Sequence, residues 1–399
     1  MKALATPLAT PMITRDHART SVTRNVNDSR RARTRVDTCE LQKSACHVSG
    51  RLSVKLLLLK EIDNDSLIVN VTPEIQTRIV GISGILEATA TDVDSAESLS
   101  RQHFNALAAS GLYGAFAPIS VGGLELGLGT LCSVVEQLAA ACLTTSFVWI
   151  QHFRLLAALL DPATPERIRE RLPLAVSGEL KGGVALGGLL PGPPRLIATE
   201  TKDGWQLNGD APWVSGWGIV DVLFVTARHS GDVVVSFVVD ALDQTGLEVT
   251  RHRLSAMNAS STVQLKFNDF PITSDRHVGS QPYAPGIERP EGLRVNGSLA
   301  LGLTRRCCEL LGPTSLDDEL RQCRDDLDAF ETKDIAVSRA RAAGLAVRAA
   351  HALAVSRGSR SAIAGDIAER TTREAALLLV FGSRPMIKDA LLDLMIKGD

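Results

Sequence analysis

The chain has 399 residues, of which 45% are hydrophobic and only 4% aromatic, so it is long enough for two or three domains with mainly aliphatic cores. Its formal net charge of −2 excludes the strongly basic balance of a nucleic-acid-binding domain. No apolar run approaches the length of a membrane span, and the seven cysteines show neither a CxxC pair nor metal-ligand spacing, which predicts a cytoplasmic protein without a membrane span or a metal site.

Residues 1–70 differ in composition from the remainder. The first 60 residues carry 12 Lys and Arg against 4 Asp and Glu, whereas the rest carries 31 against 41. A segment rich in Thr, Ser and Arg without a hydrophobic period cannot bury enough apolar surface to offset its ordering entropy, so we predict a disordered basic extension. It could be an organelle transit peptide, a nucleic-acid-binding arm, or an extension without function from an upstream start, which we favour.

Residues 71–173 have the spacing of helices. Isoleucines recur near the helical period over Glu74–Ala90, and apolar residues repeat in the same way over Ser98–Ser110. Leu128–Leu143 and Phe147–Leu160 are apolar on almost every side, which is typical of buried helices. This part of the sequence therefore predicts an N-terminal helical domain.

From residue 174 to residue 285 the pattern changes to short strands punctuated by Gly and Pro. The dipeptides Asp203-Gly204 and Asn208-Gly209 each predict a tight hairpin turn. Regular short strands with such turns predict a small central β-barrel or sandwich. The predicted strands are Leu196–Thr201, Trp205–Leu207, Val222–Ala227, Val233–Asp240, Leu247–Arg251 and Thr262–Phe267.

Residues 286–399 return to helical spacing and predict a C-terminal four-helix bundle. The predicted helices are Leu293–Leu311, Leu316–Phe330, Ile335–Arg357 and Ile363–Ile396, the last of them broken near Gly382–Pro385. The fold class predicted for the whole chain is a multidomain α+β protein, with helices, a β domain and further helices in that order.

The most informative stretch is residues 203–228. Trp213-Val214-Ser215 comes shortly before the apolar strand Val222–Ala227, which combines an aromatic ring, a hydroxyl group and an apolar wall. Such a surface suits a planar heterocycle. An ordinary β-meander with Trp213 in its core explains the same residues equally well.

The same stretch resembles a strand–turn–strand element of the acyl-CoA dehydrogenase superfamily. The residues that carry the resemblance are Gly204-Trp205-Gln206-Leu207-Asn208-Gly209, Trp213-Val214-Ser215 and Ala227-Arg228. The order of the predicted domains over residues 72–399 is also that of the family. The resemblance implies FAD as cofactor, with Trp213, Val214 and Ser215 at the flavin: Trp213 would stack on the ring and Ser215 would bond to its N5/O4 edge.

The resemblance also implies that Gly358 and Ser359 contact the FAD of a neighbouring subunit, so a homo-oligomer is expected. Arg357, Arg360 and Arg384 could meet phosphate, but they fit surface charges equally well. Relatives with monooxygenase activity place a His in the substrate pocket. His152 could take that role, although a His at a helix edge bonded to backbone is the interpretation we favour.

The sequence departs most from the family pattern at the catalytic base. Gly382 stands where most members carry the catalytic Glu, and glycine cannot accept a proton. Some members carry the Glu at the start of the first C-terminal helix, where this chain has Gly292, with Glu291 one residue earlier. One residue is about 100° around a helix, which the start of a helix could absorb. Glu291 is therefore the candidate base, or merely a favourable charge at a helix N-terminus.

Two further segments depart from the family pattern. Val184–Pro191 keeps glycines that would let a ligand approach the backbone, but lacks the polar side chains that hold flavin in relatives. Gly312-Pro313-Thr314-Ser315 replaces the motif whose Arg reaches the FAD pyrophosphate of a neighbouring subunit.

The leading functional hypothesis is FAD-dependent α,β-desaturation of an acyl thioester such as acyl-CoA. That reaction needs a flavin to accept hydride, a carboxylate base and hydrogen-bond donors to the thioester oxygen. One alternative, motivated by Gly382, is a catalytically degenerate subunit that pairs with an active homologue in a hetero-oligomer. The other is a flavin-dependent monooxygenase, which needs no Glu base.

Overall fold

A computed structural model describes residues 72–284, 289–382 and 384–397, so the predicted basic extension lies outside the described residues. The first part of the described chain is helical. Its helices are Pro73–Ala88 (α1), Ala90–Ser95 (α2), Arg101–Ala109 (α3), Leu128–Ala141 (α4), Leu143–Ile150 (α5), His152–Leu160 (α6), Glu166–Arg169 (α7) and Leu172–Ser177 (α8). Thr72 caps α1 by accepting a hydrogen bond from the backbone N–H of Ile75 at 3.3 Å.

The segment Leu143–Leu160 corrects two expectations from the sequence. The single helix predicted over Phe147–Leu160 is divided between two helices, α5 and α6, which meet at Gln151. By length and composition the segment could cross a membrane, contrary to the expectation that no run approaches that length. In the structure 67% of it is buried, and mostly buried core helices pass the same test.

The middle of the chain forms an eight-stranded sheet. Its strands are Gly182–Ala185 (β1), Leu196–Thr201 (β2), Gly204–Val214 (β3), Val222–His229 (β4), Val233–Asp240 (β5), Leu247–Arg251 (β6), Val263–Thr273 (β7) and His277–Pro282 (β8). The order is β6-β7-β3-β2-β4-β5-β8, and β1 pairs with β4 in parallel. Side chains from β2, β3, β4, β5 and β7 meet in one core, and α6 covers the other face of β4.

The second predicted hairpin turn does not exist. The Asp203-Gly204 turn joins β2 to β3 as predicted, but Asn208 and Gly209 lie inside β3. The β3–β7 register shifts between Leu207 and Gly209, so Asn208 stands opposite two residues of β7, Asn268 and Asp269, which form a β-bulge. Asn208 stabilises the bulge because its side chain donates to the Asp269 carboxylate at 3.0 Å and accepts from the Asp269 N–H at 2.9 Å.

Helices follow the sheet to the end of the described chain. They are Pro290–Leu311 (α9), Ser315–Asp328 (α10), Ile335–Arg357 (α11), Ile367–Val380 (α12) and Pro385–Lys397 (α13). A buried ion pair ties α9 to α12: Arg306 Nη1 donates to Glu374 Oε2 at 2.6 Å. Arg306 also donates to the backbone oxygens of Ala140 at 2.7 Å and Ala139 at 3.1 Å, at the end of α4. All three nitrogens of this guanidinium thereby donate hydrogen bonds inside the helical core.

Candidate functional site

Trp213 is an exposed aromatic side chain held by a strained backbone. It has φ +61°, in the left-handed region, and 64% of the residue is exposed. A bulky residue in that region costs on the order of 1–3 kcal/mol, and such strain is concentrated at functional sites. The second irregularity of the β3–β7 pairing, between Ala211 and Val214, produces this conformation. The sheet therefore presents the indole ring to the surface instead of burying it.

His252 lies against Trp213. The two ring centroids are 4.8 Å apart and the planes are inclined by 34°. Nε2 of His252 is buried and has no hydrogen-bond partner among the described residues. The sequence gave no motif that could have identified His252, because it reaches Trp213 only through the pairing of β6 with β7 and of β7 with β3.

Ser215 belongs to a buried chain of three hydroxyl groups. Ser215 Oγ and Thr262 Oγ1 are 2.8 Å apart, and Thr262 Oγ1 and Ser260 Oγ are also 2.8 Å apart. Three hydroxyl groups carry three protons, and the two bonds within the chain use two of them. One O–H therefore remains to be donated, and no acceptor for it lies among the described residues.

Val214 differs from its two neighbours. Its side chain is fully buried in the core of the sheet with Leu207 and Leu265, so only its backbone can contact a ligand. Of the three consecutive residues predicted to meet a flavin, Trp213 offers a ring, Ser215 a hydroxyl group and Val214 backbone alone.

Phe381, which follows α12, connects the C-terminal helices to the helix α5. Its ring meets that of Phe147 at 4.7 Å in an edge-to-face contact, and α5, which carries Phe147, adjoins residues Asn258–Ser260 at the hydroxyl chain. Gly382 follows Phe381 with φ +58°, and a Cβ built there would meet nothing within 4 Å. The position at which the resemblance implies the family's base is therefore open space.

Two carboxylates beside the first half of α12, at the opposite end from Gly382, are already engaged. Arg373 Nη2 donates to Asp94 at 2.6 Å and to Glu369 at 2.9 Å. The hydrogen bond from Arg373 is the main cause of a lowered pKa for Glu369. Arg373 also donates to the Ser255 carbonyl at 3.1 Å, which ties α12 to the loop before the hydroxyl chain. Neither carboxylate is therefore free to act as a base.

Glu291 lies in the first turn of α9 and is partly buried. Leu293, two residues later, belongs to one apolar cluster with Leu379 and Ile387, which flank Gly382 in sequence. The two positions at which the family carries its base thus lie at the same end of the C-terminal helices. None of the hydrogen bonds or ring contacts of the described residues joins Glu291 to Trp213.

Gly358 and Ser359 are exposed at the end of α11, in a single 3₁₀ turn over Gly358–Ala362. Arg357 already pairs with a carboxylate, because its Nε and Nη2 donate to Asp366 at 3.1 and 2.9 Å. The contact of Gly358 and Ser359 with the FAD of a neighbouring subunit stays a prediction.

His152 is buried and bonded to backbone, as the favoured interpretation of the sequence expects. Its Nδ1 accepts the N–H of Gly182 at 3.0 Å, and its ring meets the edge of Tyr113 at 4.8 Å. Nε2 is enclosed beside the backbone of Ala175 without a hydrogen bond of good geometry. Burial lowers the pKa of His152 to about 3, so the ring is neutral at physiological pH.

Gly187 and Gly188 of the departing segment Val184–Pro191 serve packing rather than ligand binding. A Cβ at Gly188 would lie 2.6 Å from the Ala227 backbone, and one at Gly187 would lie 2.8 Å from the Asp210 carbonyl oxygen. These glycines let the segment pack on the sheet, which corrects the expectation that they admit a ligand. Thr314 forms a capping box with Asp317 and so starts α10. Among the described residues no cluster of His, Cys, Asp or Glu could hold a metal ion.

Three comparisons bear on the identity of the chain. The family "Acyl-CoA dehydrogenase, N-terminal domain" matches residues 84–179. Over 240 residues the chain is 26% identical to 3-sulfinopropanoyl-CoA desulfinase of Advenella mimigardefordensis, an alignment that covers 55% of this chain and 59% of that protein. The chain spans about half the length of the curated relatives it matches.

Two solved structures share the fold over their whole length. Butyryl-CoA dehydrogenase from Megasphaera elsdenii has a TM-score of 0.66 at 17% identity, with 81% of this chain and 97% of that chain covered. FMN-bound TdsC, the dibenzothiophene monooxygenase from Paenibacillus sp. A11-2, has a TM-score of 0.65 at 16% identity, with 82% and 98% covered. The matched domain, the relatives and the fold together support a relationship of this chain to the acyl-CoA dehydrogenase superfamily.

Proposed function

We propose that the chain is a flavoprotein that binds FAD on the face formed by Trp213, Ser215 and His252 and acts on an acyl thioester. The observation that carries the proposal is the exposed, strained Trp213 beside a buried hydroxyl chain with one undonated proton. A flavin ring matches both, because it is planar, stacks on aromatic rings and accepts hydrogen bonds at its N5/O4 edge.

The residues on this face have distinct tasks. Trp213 would cover one face of the flavin ring and exclude water from it. The imidazole ring of His252 packs against the indole ring of Trp213 and supports it. Ser215 would donate the remaining proton of the hydroxyl chain, with Thr262 and Ser260 aligning it. A flavin bound there would supply the hydride acceptor that no side chain provides. In desaturation, Glu291 is the candidate to take the α-proton of the thioester.

The visible absorption spectrum after incubation with FAD or FMN and desalting tests the cofactor. We expect the wild type to retain the flavin bands near ~370 and ~450 nm. Trp213→Ala and Ser215→Ala should lose them, whereas Ile197→Ala, at another exposed apolar residue of the sheet, should not. A wild-type protein that stays colourless with both flavins would contradict the proposal. A protein that retains FMN but not FAD would support flavin binding on this face and contradict FAD as the cofactor.

A second candidate function is favoured by the open position at Gly382 and by the engagement of Asp94 and Glu369 with Arg373. A flavin-dependent oxygenation needs no carboxylate base, and a structural neighbour is a monooxygenase. A subunit that lacks catalysis and pairs with an active homologue would also tolerate these features.

Anaerobic mixing of the flavin-loaded protein with butyryl-CoA separates these functions. Bleaching that Glu291→Gln abolishes supports desaturation with Glu291 as base. Absence of bleaching, together with oxygen consumption when reduced flavin is supplied, supports a monooxygenase. A colourless protein that co-purifies with a homologue supports a partner subunit.

A further inference from the structure

A cleft of about 560 Å³ lies at the edge of the sheet where β4 begins and β5 ends. Arg101 at the start of α3 and Arg171 beside the start of α8 line it, together with the leucines Leu174 and Leu242. These leucines are 45% and 54% exposed. The cleft therefore combines cationic and apolar surface, and none of the residues assigned to the flavin face lines it.

Neither arginine of the cleft has an anionic partner at ion-pair distance among the residues that the structure describes. Arg101 donates only a long bond of 3.5 Å to the Gly218 carbonyl. Within the described part of the chain, the side chain of Arg171 makes neither a hydrogen bond nor an ion pair. The carboxylates in the wall are used elsewhere: Asp240 accepts two bonds of 2.9 Å from Arg276, and Asp221 accepts the Lys181 N–H at 2.8 Å.

Arg171 is the more informative of the pair because it is half-buried. Burial lowers the pKa of its guanidinium, and Arg276 adds to that effect, while Asp240 and Asp275 act in the opposite direction from beyond ion-pair distance. A partly desolvated cation without a contacting counterion is costly unless an anion binds to it. Planar guanidinium groups bind phosphate and carboxylate through paired hydrogen bonds.

We propose that this cleft binds a phosphate-bearing organic ligand, with phosphate on Arg101 and Arg171 and an apolar portion on Leu174 and Leu242. Gly218 also lines a neighbouring cleft of about 260 Å³ that contains Ser261, next to the hydroxyl chain. The phosphate could therefore belong to the coenzyme A part of a thioester or to a flavin nucleotide. This proposal is independent of the proposed flavin face, because the arginines and leucines of the cleft lie outside that face.

Isothermal titration of the full-length protein with coenzyme A, FMN and inorganic pyrophosphate tests the site. We expect binding of pyrophosphate and of at least one nucleotide. Arg171→Gln and Arg101→Gln should each weaken it about 10-fold or more, because each removes charge-assisted hydrogen bonds. Arg171→Lys should recover part of the loss, since it keeps the charge. Arg305→Gln is the matched control, because Arg305 is exposed and already paired with Glu309.

Competition identifies the source of the phosphate. Displacement of pyrophosphate by coenzyme A alone assigns the cleft to the thioester, and displacement by FMN alone assigns it to the flavin. The proposal is overturned if no probe binds at millimolar concentration. It is also overturned if Arg101→Gln and Arg171→Gln, both folded by circular dichroism, bind all three probes like the wild type. Flavin retention by Trp213→Ala is a separate measurement, so failure of one proposal does not imply failure of the other.

Discussion

Acidification should destabilise the protein through His152. In the folded protein, burial lowers the pKa of this ring to about 3, whereas an unfolded His has a pKa of about 6.5. Between these values the unfolded state binds a proton that the folded state excludes, so stability is full above pH ~6.5 and falls as the pH decreases toward 3. At about 1.36 kcal/mol per pH unit, the loss between pH 7 and pH 5 is about 2 kcal/mol.

The variant His152→Asn isolates this contribution. The Asn side-chain oxygen can still accept the Gly182 N–H, but it does not titrate between pH 3 and 7. Urea unfolding followed by tryptophan fluorescence at pH 7, 6 and 5 gives the free energy of unfolding for both proteins. The wild type should lose about 2 kcal/mol more than the variant over this range. Parallel pH dependences would refute the claim that the ring is neutral and enclosed.

Three further changes test the helical core and the flavin face. Glu374→Gln leaves Arg306 buried without its counter-charge, so the free energy of unfolding, measured with denaturant, should fall by about 3–5 kcal/mol. The control Glu309→Gln changes an exposed ion pair and should lower it by less than about 1 kcal/mol. Gly302→Ala places a Cβ 2.4 Å from a carbonyl oxygen of α4, so the free energy of unfolding should fall by about 1–3 kcal/mol. An unchanged melting temperature would show that α4 and α9 are less closely packed than this distance implies. Trp213→Gly relieves the left-handed strain, so the melting temperature should hold or rise while flavin retention is lost; a large loss of stability would instead make Trp213 a core residue.

Periodic patterns in the sequence predicted most of the fold. The predicted spans of β2, β5, β6 and α11 agree with the structure residue for residue. The errors have physical causes. Asn208-Gly209 has turn chemistry, but the pairing of β3 with β7 overrides it and makes a bulge. β1 is a four-residue strand that begins Gly-Gly, so it carries no alternating pattern, and it exists because β4 lies beside it.

The candidate site was less accessible from the sequence. Trp213 and Ser215 could be named because they lie in one contiguous stretch that resembles a family. Thr262 and His252 could not, since they reach these residues only through strands that are distant in sequence. Partnered charges are equally invisible in a sequence: the engagement of Arg373 with Asp94 joins residues 279 positions apart.

Gly382 stands where the resemblance implies a catalytic Glu, and this position can accept a side chain. Gly382 has open space at its Cβ and lies after Phe381, whose ring packs on Phe147 beside the hydroxyl chain. A Glu there would adopt a left-handed conformation at a cost of about 1–2 kcal/mol, which a folded core can tolerate. Gly382→Glu should therefore still fold and should place a carboxylate where most members of the family carry theirs.

If the base is the part that the chain lacks, anaerobic bleaching of bound flavin by butyryl-CoA should be about 10²–10⁴-fold faster in Gly382→Glu than in the wild type. Gly382→Gln is the matched control, because it has the same size and backbone strain but cannot take a proton. Equal, slow bleaching by all three proteins, with flavin retained, would mean that the thioester does not reach this position. The reaction would then be one that needs no carboxylate at the site, and oxygen consumption with reduced flavin would be the next quantity to measure.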